Sequence, residues 1–260
     1  MKDWFMNIDE VQLITFSPTC TSKQVGEAIV HGTGISSVSK VDLTLEAAGK
    51  REVPSHALAV ITVPVYGGHV APLALERMKE LHADGAPAVV VVVYGNRAYE
   101  DTLAELRDTA SRAGFTVIAA VAAVAEHSIA RQYAAGRPDA EDEAQLRTFA
   151  AQIRRKIDTG DQSEPEIPGN HPYRKAAGAG IVPKATRACV KCGLCAAKCP
   201  VGAIAPDDPT RVDKTRCISC MRCVAVCPHG TRHVNKLMLA LVGRMLKKAC
   251  SERKTCELYL

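Results

Sequence analysis

Two stretches near the C-terminal end carry the same pattern of cysteines. The first reads Cys189-Val190-Lys191-Cys192-Gly193-Leu194-Cys195-Ala196-Ala197-Lys198-Cys199-Pro200. The second starts 28 residues later and reads Cys217-Ile218-Ser219-Cys220-Met221-Arg222-Cys223-Val224-Ala225-Val226-Cys227-Pro228. Both have the spacing C-x2-C-x2-C-x3-C followed by proline. The pattern is therefore an internal repeat, which has to be recognised before any other feature.

This spacing favours iron–sulfur chemistry. Three cysteines two residues apart can place their thiolates around one face of a [4Fe–4S] cluster, whereas the fourth follows a longer step and precedes a proline. In the bacterial form of the run, the fourth cysteine ligates the other cluster of the pair. We therefore assign one cluster to Cys189, Cys192, Cys195 and Cys227, and the other to Cys217, Cys220, Cys223 and Cys199.

Disulfide bonds and structural zinc are the alternative uses of so many cysteines. No secretory signal or apolar membrane-spanning run precedes the motif, and cytosolic thiols are kept reduced, so we expect a cytoplasmic protein without disulfides. Zinc sites usually consist of paired C-x-x-C knuckles separated by a longer loop rather than interlocked triplets. Of the eleven cysteines, only Cys20, Cys250 and Cys256 lie outside the two motifs, and we interpret them as ordinary thiols.

Length and charge narrow the class of protein. A chain of 260 residues is long enough for one full domain and a second, smaller one. The net charge is +5, with no block of Lys and Arg and no basic stripe interleaved with aromatic residues, so a nucleic-acid partner is not expected. A redox partner protein is expected instead, and the sequence leaves its identity and the oligomeric state open.

The N-terminal two-thirds alternate short apolar runs with helical segments. The runs predict strands over Val11–Phe16, Val38–Leu45, Leu58–Val63, Ala88–Tyr94 and Thr116–Val124. The segments between and after them predict helices over Ser22–Val30, Pro72–His82, Thr102–Ala113 and Ala140–Ile157. Continuous β-branched runs separated by helices are typical of a parallel sheet covered on both faces. The sequence thus predicts an α/β domain with a doubly wound, five-stranded parallel sheet.

Ligands of such a sheet bind at the carboxyl ends of its strands. After the first strand, residues 17–23 form a hydroxyl-rich turn at a helix N-terminus, which suits a phosphate. After the third and fourth strands come Pro64-Val65-Tyr66-Gly67-Gly68 and Tyr94-Gly95-Asn96-Arg97-Ala98-Tyr99. Each of these loops places an aromatic ring beside glycine, where backbone can approach a flat ligand. No G-x-G-x-x-G follows the first strand, so a nicotinamide site is not supported.

These three loops, in this order, resemble those of the flavodoxin family. The chain as a whole resembles proteins in which a flavodoxin-like domain is fused to a two-cluster bacterial ferredoxin, the ferredoxin part covering roughly residues 187–234. The resemblance implies an FMN cofactor. It places the phosphate on Ser17, Thr19, Thr21 and Ser22, and the flavin ring beside Tyr66, Gly67, Gly68, Tyr94, Gly95, Asn96 and Tyr99. The family has glycine after the first threonine, where this chain has Cys20.

The pattern predicts four segments. Residues 1–157 are the flavodoxin-like domain, 158–186 a linker rich in proline and glycine, 187–234 the ferredoxin domain, and 235–260 an amphipathic helix with a tail. The linker either lies across the first domain or is a loose tether. The apolar stripe of the helix is expected to pack onto the protein, and a membrane or a partner is the alternative. The stripe consists of Leu237, Met238, Leu241, Val242, Met245 and Leu246.

The main hypothesis is a cytoplasmic electron-transfer protein of an anaerobic cell, with FMN in the first domain and two [4Fe–4S] clusters in the second. A rival hypothesis is a flavin-dependent reductase, in which the clusters supply electrons to a substrate over the flavin and His127 or a tyrosine donates a proton. A third is that Cys20 has abolished FMN binding, which leaves the first domain as an interaction module.

Overall fold

The computed structural model describes residues 8–45, 49–175 and 180–260. The strands in these ranges are β1 (Glu10–Thr15), β2 (Ser37–Asp42), β3 (Arg51–Val53), β4 (Ala57–Tyr66), β5 (His69–Val70), β6 (Leu81–Ala83), β7 (Pro87–Tyr94), β8 (Thr116–Val124), β9 (Lys184–Ala185), β10 (Arg232–His233) and β11 (Glu257–Tyr259). The helices are α1 (Thr21–Gly32), α2 (Pro72–Met78), α3 (Thr102–Arg112), α4 (Ala140–Asp158), α5 (Leu194–Ala197), α6 (Arg222–Ala225) and α7 (Lys236–Cys250).

Five parallel strands form the centre of the first domain, in the order β2-β1-β4-β7-β8. Counted along the chain as parallel strands, this is the order 2-1-3-4-5 of flavodoxin-like sheets. Every residue of β7 is buried, because its run of valines is covered on both faces of the sheet. The predicted doubly wound, five-stranded parallel sheet is therefore confirmed.

The two faces of the sheet carry separate cores. Leu13 of β1 points to the face covered by α1 and α4, where it packs with Ile29 and Ile153. Its neighbour Ile14 points to the opposite face, where the core includes Leu103 of α3. Alternate residues of each strand thus supply alternate cores, as the two-residue period of a strand requires.

The C-terminal tail adds a strand to this sheet, which the sequence pattern did not predict. Strand β11 pairs antiparallel with β8, with Leu258 opposite Val121. Cys256, just before β11, is buried in the core beneath α4, and its Sγ accepts a hydrogen bond from the Val124 N–H. The first domain consequently contains both the N-terminal part of the chain and its last residues.

One predicted helix is shorter than expected. The segment Pro72–His82 was predicted as helical throughout, but α2 ends at Met78. Residues Leu81–Ala83 instead form β6, which pairs in parallel with β3. Leu81 is almost fully buried in the core below the sheet, so tertiary burial has overridden the local helical pattern.

The cysteine-rich segment forms a small α+β unit with a repeated backbone. The short helices α5 and α6 occupy matching places in the two motifs, and β9 pairs antiparallel with β10. Lys191 and Ser219 have φ of 55° and 56°, and the next pair of matching residues, Gly193 and Met221, have φ of 77° and 59°. The sequence repeat is therefore also a repeat of conformation.

The segment before this unit lies across α3 and is here called the strap (residues 161–174). Asp101 Oδ1 accepts hydrogen bonds from the backbone N–H and the side-chain amide of Asn170, at 2.9 and 2.8 Å. Asp108 Oδ2 accepts from His171 Nε2 at 2.7 Å and from the Tyr173 hydroxyl. Of the two alternatives for the linker, the structure thus supports the docked one over the loose tether.

Candidate cluster and cofactor sites

The structure gathers the eight motif cysteines into two groups of four. One cavity is lined by Cys189, Cys192, Cys195 and Cys227. A second cavity is lined by Cys199, Cys217, Cys220 and Cys223. These are the crosswise sets assigned from the sequence, in which each motif lends its fourth cysteine to the other. No disulfide bond links any of the eleven cysteines, all of which lie in the described ranges.

The two cysteine cavities differ in exposure. The first is at the surface: Cys192 is exposed, and so are the apolar side chains of Val190 and Leu194 beside it. In the second, Cys220 is buried and the other three cysteines are half-buried. Cys195 of the first group is buried as well, so the groups differ only in that the first contains an exposed cysteine and has exposed apolar side chains beside it.

The thiols of the second cavity are held in surroundings that disfavour bare thiolates. Burial raises the pKa of Cys220 to about 11 and that of Cys223 to about 12, and neighbouring thiols act in the same direction. A cationic iron core would reverse this balance by bonding the thiolates directly. Four converging thiols in an almost wholly apolar cavity are therefore a donor set that fits a [4Fe–4S] cluster.

A buried arginine, Arg232, lies beside both cysteine cavities. Its Nη1 donates to Pro183 O at 3.2 Å and its Nη2 to Pro209 O. It lines the first cavity, and its charge opposes the burial that raises the pKa of Cys223 in the second. Sequence reasoning missed this role, because the two carbonyl groups that hold Arg232 lie 49 and 23 residues away along the chain.

A third cavity lies where the parallel strands end. Its walls come from the C-terminal ends of β4 and β7 and from residues that follow β1, β7 and β8, which is where a doubly wound sheet binds ligands. Five of the residues assigned to FMN line it: Thr19, Thr21, Tyr66, Tyr94 and Gly95. The other walls are Pro18, Pro64, Val65, Val93, Ala125, Glu126, His127, Ser128 and Cys220.

The loop after β1 is held open towards this cavity. Ser17 Oγ accepts the Lys23 N–H at 2.9 Å, and the Ser17 N–H donates to Thr44 Oγ1 at 2.7 Å. Cys20 has φ of 72° and an exposed side chain. It thus takes the left-handed conformation that glycine favours. The first turn of α1 follows, and its N–H groups and the helix dipole suit a phosphate beside the Thr19 and Thr21 hydroxyls.

The two tyrosines of the cavity are held in apolar surroundings. Burial raises the pKa of Tyr66 well above its ordinary value, and the nearby thiols Cys220 and Cys217 raise it further. Burial likewise raises the pKa of Tyr94, whose ring meets the Tyr99 ring edge-on at 5.3 Å between centroids. Both are neutral phenols at physiological pH, as a flat apolar ligand requires.

Other residues assigned to FMN have different contacts in the structure. Gly67 and Gly68, with φ of 61° and 89°, form the two-residue turn between β4 and β5. Asn96 is buried, and its Nδ2 donates to Cys250 O at 3.0 Å and to Glu252 O at 2.7 Å. Tyr99 joins the C-terminal strand through Glu257 and Tyr259. These four, and the buried Ser17 and Ser22, do not line the cavity, so their part in flavin binding stays a prediction.

His127 is fixed in the wall of the third cavity. Its Nδ1 accepts the N–H groups of Ile129 and Ala130 at 3.2 and 3.1 Å, which leaves Nε2 to carry the proton of the neutral ring. Burial lowers the pKa of His127, and Arg97 lowers it further. A β-carbon on Gly95 would lie 2.7 Å from His127 Cβ, so glycine is required there for the ring to keep its place.

The second cysteine cavity adjoins the third cavity. Cys220 lines both. Two arginines hold the domains together at this point: Arg222 Nη1 donates to Pro18 O at 3.1 Å, and Arg77 Nη2 donates to Pro200 O at 2.9 Å. A cysteine of the second group therefore forms part of the wall of the third cavity.

A comparison with known sequences finds a family model that matches the cysteine-rich segment. Residues 188–231 match the family model of the 4Fe-4S dicluster domain. No curated protein matches the chain. Within the described ranges, no group of three or more His, Cys, Asp or Glu side chains has the spacing that holds a single metal ion, and no helix is long and apolar enough to cross a membrane.

Among solved structures, similar folds include flavodoxins and a larger enzyme. Rubredoxin oxygen:oxidoreductase from the anaerobe Desulfovibrio gigas is 13% identical with a TM-score of 0.40, and the match covers 57% of this chain and 36% of that one. A flavodoxin from the domain Archaea is 11% identical with a TM-score of 0.39, covering 57% and 98%. A Streptococcus pneumonia TIGR4 flavodoxin is 14% identical with a TM-score of 0.39, covering 56% and 97%.

Proposed function

Because the chain joins a domain of flavodoxin-like strand order to a 4Fe–4S dicluster domain, we propose that it is an electron-transfer protein carrying FMN and two [4Fe–4S] clusters. Flavin accepts one or two electrons and a cubane cluster one, so the pair couples two-electron to one-electron partners. The chain itself positions the groups and sets their surroundings.

The observation that carries the proposal is the position of Cys220. It belongs to the second group of four cysteines and also lines the cavity at the carboxyl ends of the strands. This arrangement supports a linear order in which a partner protein exchanges electrons with the exposed first cluster. The second cluster, whose ligand Cys220 lines the third cavity, comes next, and the flavin last.

Each wall of the third cavity has a role in this proposal. The hydroxyls of Thr19 and Thr21, with the N-terminus of α1, bind the FMN phosphate. Tyr66 and Tyr94 border the flavin ring and exclude water from it. His127, with its proton on Nε2, donates a hydrogen bond into the cavity.

Cofactor analysis of protein purified without oxygen tests the inventory. We expect about eight iron, about eight sulfide and about one FMN per chain. A chain with clusters but no flavin under these conditions would overturn the FMN assignment and favour the interaction-module alternative. The backbone and side chain of Cys20 weaken that alternative, since the loop adopts the left-handed conformation despite the β-carbon and the side chain is exposed.

Cys220→Ser and Cys192→Ser form a matched pair that tests the order of the cofactors. Each removes one ligand from one cluster. With a reductant that acts on the clusters, flavin reduction should be slowed far more by Cys220→Ser, because the second cluster adjoins the cavity. Stopped-flow absorption of the flavin band reports the rate. Equal slowing in both variants would contradict the proposed order.

The reductase alternative has one observation in its favour. His127 is held with a proton-bearing nitrogen in a cavity that also contains Glu126 and Ser128. A substrate over the flavin could take its proton from this ring. Turnover of a panel of unsaturated acceptors by the reduced protein alone, abolished in His127→Gln, would favour an enzyme over a carrier.

A further inference from the structure

Helix α7 is attached to the protein by one face only. Leu239 and Val242 pack beside Ile181, Met221 and Val234, and Gly243 fits closely against Gln132. At its end, the buried Cys250 Sγ lies 3.8 Å from Gly95 O. These contacts run along the helix, so its position on the body is fixed from the first turn to the last.

The opposite face of α7 is a row of exposed apolar side chains. Leu237, Leu241 and Met245 are 71%, 51% and 82% exposed and follow one another at four-residue spacing, with Met238 beside them. The row holds four of the eight exposed large apolar residues of the described ranges. The prediction that the whole stripe packs onto the protein is therefore wrong for these four, because they point away from the side that docks.

Positive charge accompanies the row. Helix α7 contains Lys236, Arg244, Lys247 and Lys248, all exposed, and no acidic residue. Arg244 and Lys248 are three residues beyond Leu241 and Met245, so they flank the row along its length. The charge extends beyond the helix: residues 184–260 contain 15 Lys and Arg against five Asp and Glu, whereas residues 1–183 contain 18 against 23.

The positive charge of α7 indicates which kind of surface can bind its exposed apolar face. A second copy of the chain, related by two-fold symmetry, would bring two such basic helices together, and their like charges would repel. A surface with negative charge on the outside and apolar groups beneath it complements both the basic residues and the exposed apolar side chains of α7. A basic helix with Leu on its outer face, lying in the plane of the headgroups, binds in this way.

We propose that α7 binds the anionic surface of a lipid bilayer, with Leu237, Leu241 and Met245 inserted among the headgroups and the flanking lysines and Arg244 paired with lipid phosphates. The protein lies on the membrane with its other face still docked to the cofactor domains. Electron transfer would then take place beside a membrane surface, which goes beyond the carrier function proposed above.

Vesicle flotation of the cofactor-loaded protein tests this inference. We expect binding to vesicles of phosphatidylcholine and phosphatidylglycerol, binding to pure phosphatidylcholine weaker by roughly tenfold or more, and release by high salt. Leu237→Ser with Leu241→Ser should lower binding by more than roughly tenfold, since two apolar side chains no longer insert. Arg244→Gln with Lys248→Gln should reduce binding to the level on uncharged vesicles.

Val38→Ser is the matched control, because Val38 is an exposed apolar residue on β2, outside α7. It should bind like the unaltered protein, and cluster absorption should be unchanged in every variant. The proposal is overturned if the unaltered protein does not bind anionic vesicles, or if Val38→Ser weakens binding as much as Leu237→Ser with Leu241→Ser does. The proposal is also overturned if light scattering shows a dimer that dissociates in the Leu237→Ser, Leu241→Ser variant. Binding to polyglutamate without binding to vesicles would overturn it as well.

Discussion

Cys20 shows how one residue stores strain at the candidate phosphate loop. Its φ of 72° lies in the left-handed region, which costs a residue with a β-carbon roughly 1–2 kcal/mol. Its side chain is exposed, so little packing offsets that cost. Cys20→Gly should therefore raise the free energy of unfolding by about 1 kcal/mol, measured by thermal denaturation followed by circular dichroism.

Cys20→Ala separates strain from the loss of the thiol, because alanine keeps the β-carbon. It should leave stability near that of the unaltered protein. If alanine stabilises as much as glycine, the backbone strain is not the cause. FMN binding should survive both substitutions, since the loop conformation stays the same.

Arg232 is expected to set the reduction potentials of the clusters. A buried positive charge favours the reduced, more negative state of a nearby cluster. Arg232→Gln should lower the potentials by tens of millivolts, and Arg232→Lys should retain most of the effect because it keeps the charge. Redox titration followed by electron paramagnetic resonance measures the shift. A fall of equal size in both variants would point to a packing role instead.

At the residue scale, the sequence predicted ligands better than surroundings. The cysteine spacing is local, and the structure groups the eight thiols in the assigned sets of four. Asn96 and Tyr99 were assigned to flavin from a loop pattern, yet they bind the C-terminal segment more than 150 residues away in sequence. No local pattern reports such a partner.

The strap is an element held mainly by two carboxylates of the first domain. Burial alone would raise the pKa of Asp108, but hydrogen bonds from Tyr173, His171 and Arg107 outweigh it and lower the pKa to about 2. This stabilisation is present above the ordinary pKa near 3.8 and is lost as the pH falls towards about 2.

Asp108→Ala should therefore loosen the strap at neutral pH by about 2 kcal/mol. Hydrogen exchange at the Asn170 and Arg174 amides should become roughly 30-fold faster. Glu164→Ala removes only an exposed ion pair with Arg107 and should have little effect. The difference between Asp108→Ala and the unaltered protein should shrink below about pH 4. A constant difference down to pH 2 would assign the effect to packing.

Elements with strong periodicity were predicted well, and short ones were not. The valine run of β7 and the amphipathic pattern of α3 predicted the ends of these elements to within about two residues. The three-residue strands β6 and β11 were missed, because three residues carry no period and each is fixed by its partner strand. Whether the apolar stripe of α7 is buried depends on how much of the protein packs against the helix, which the local sequence pattern does not report.

For the whole molecule, the tail joins the second domain back to the first. Ending the chain after Arg253 would remove Cys256 from the core and β11 from the sheet. We expect a lower melting temperature and two separate transitions, in which cluster absorption and far-ultraviolet circular dichroism no longer change together. Deleting only Leu260, which is exposed and lies beyond β11, should leave a single transition. Two transitions in the unaltered protein would contradict this coupling.

The pairing of β11 with β8 has a consequence for how the cluster-bearing unit is held. The chain leaves the first domain through the strap and returns to it through α7, so both ends of the cysteine-rich unit are attached to that domain. If a protease cut the chain only in the strap or only in α7, the two fragments would remain associated. Electron exchange between the proposed flavin and the proposed clusters would then have a rate independent of protein concentration.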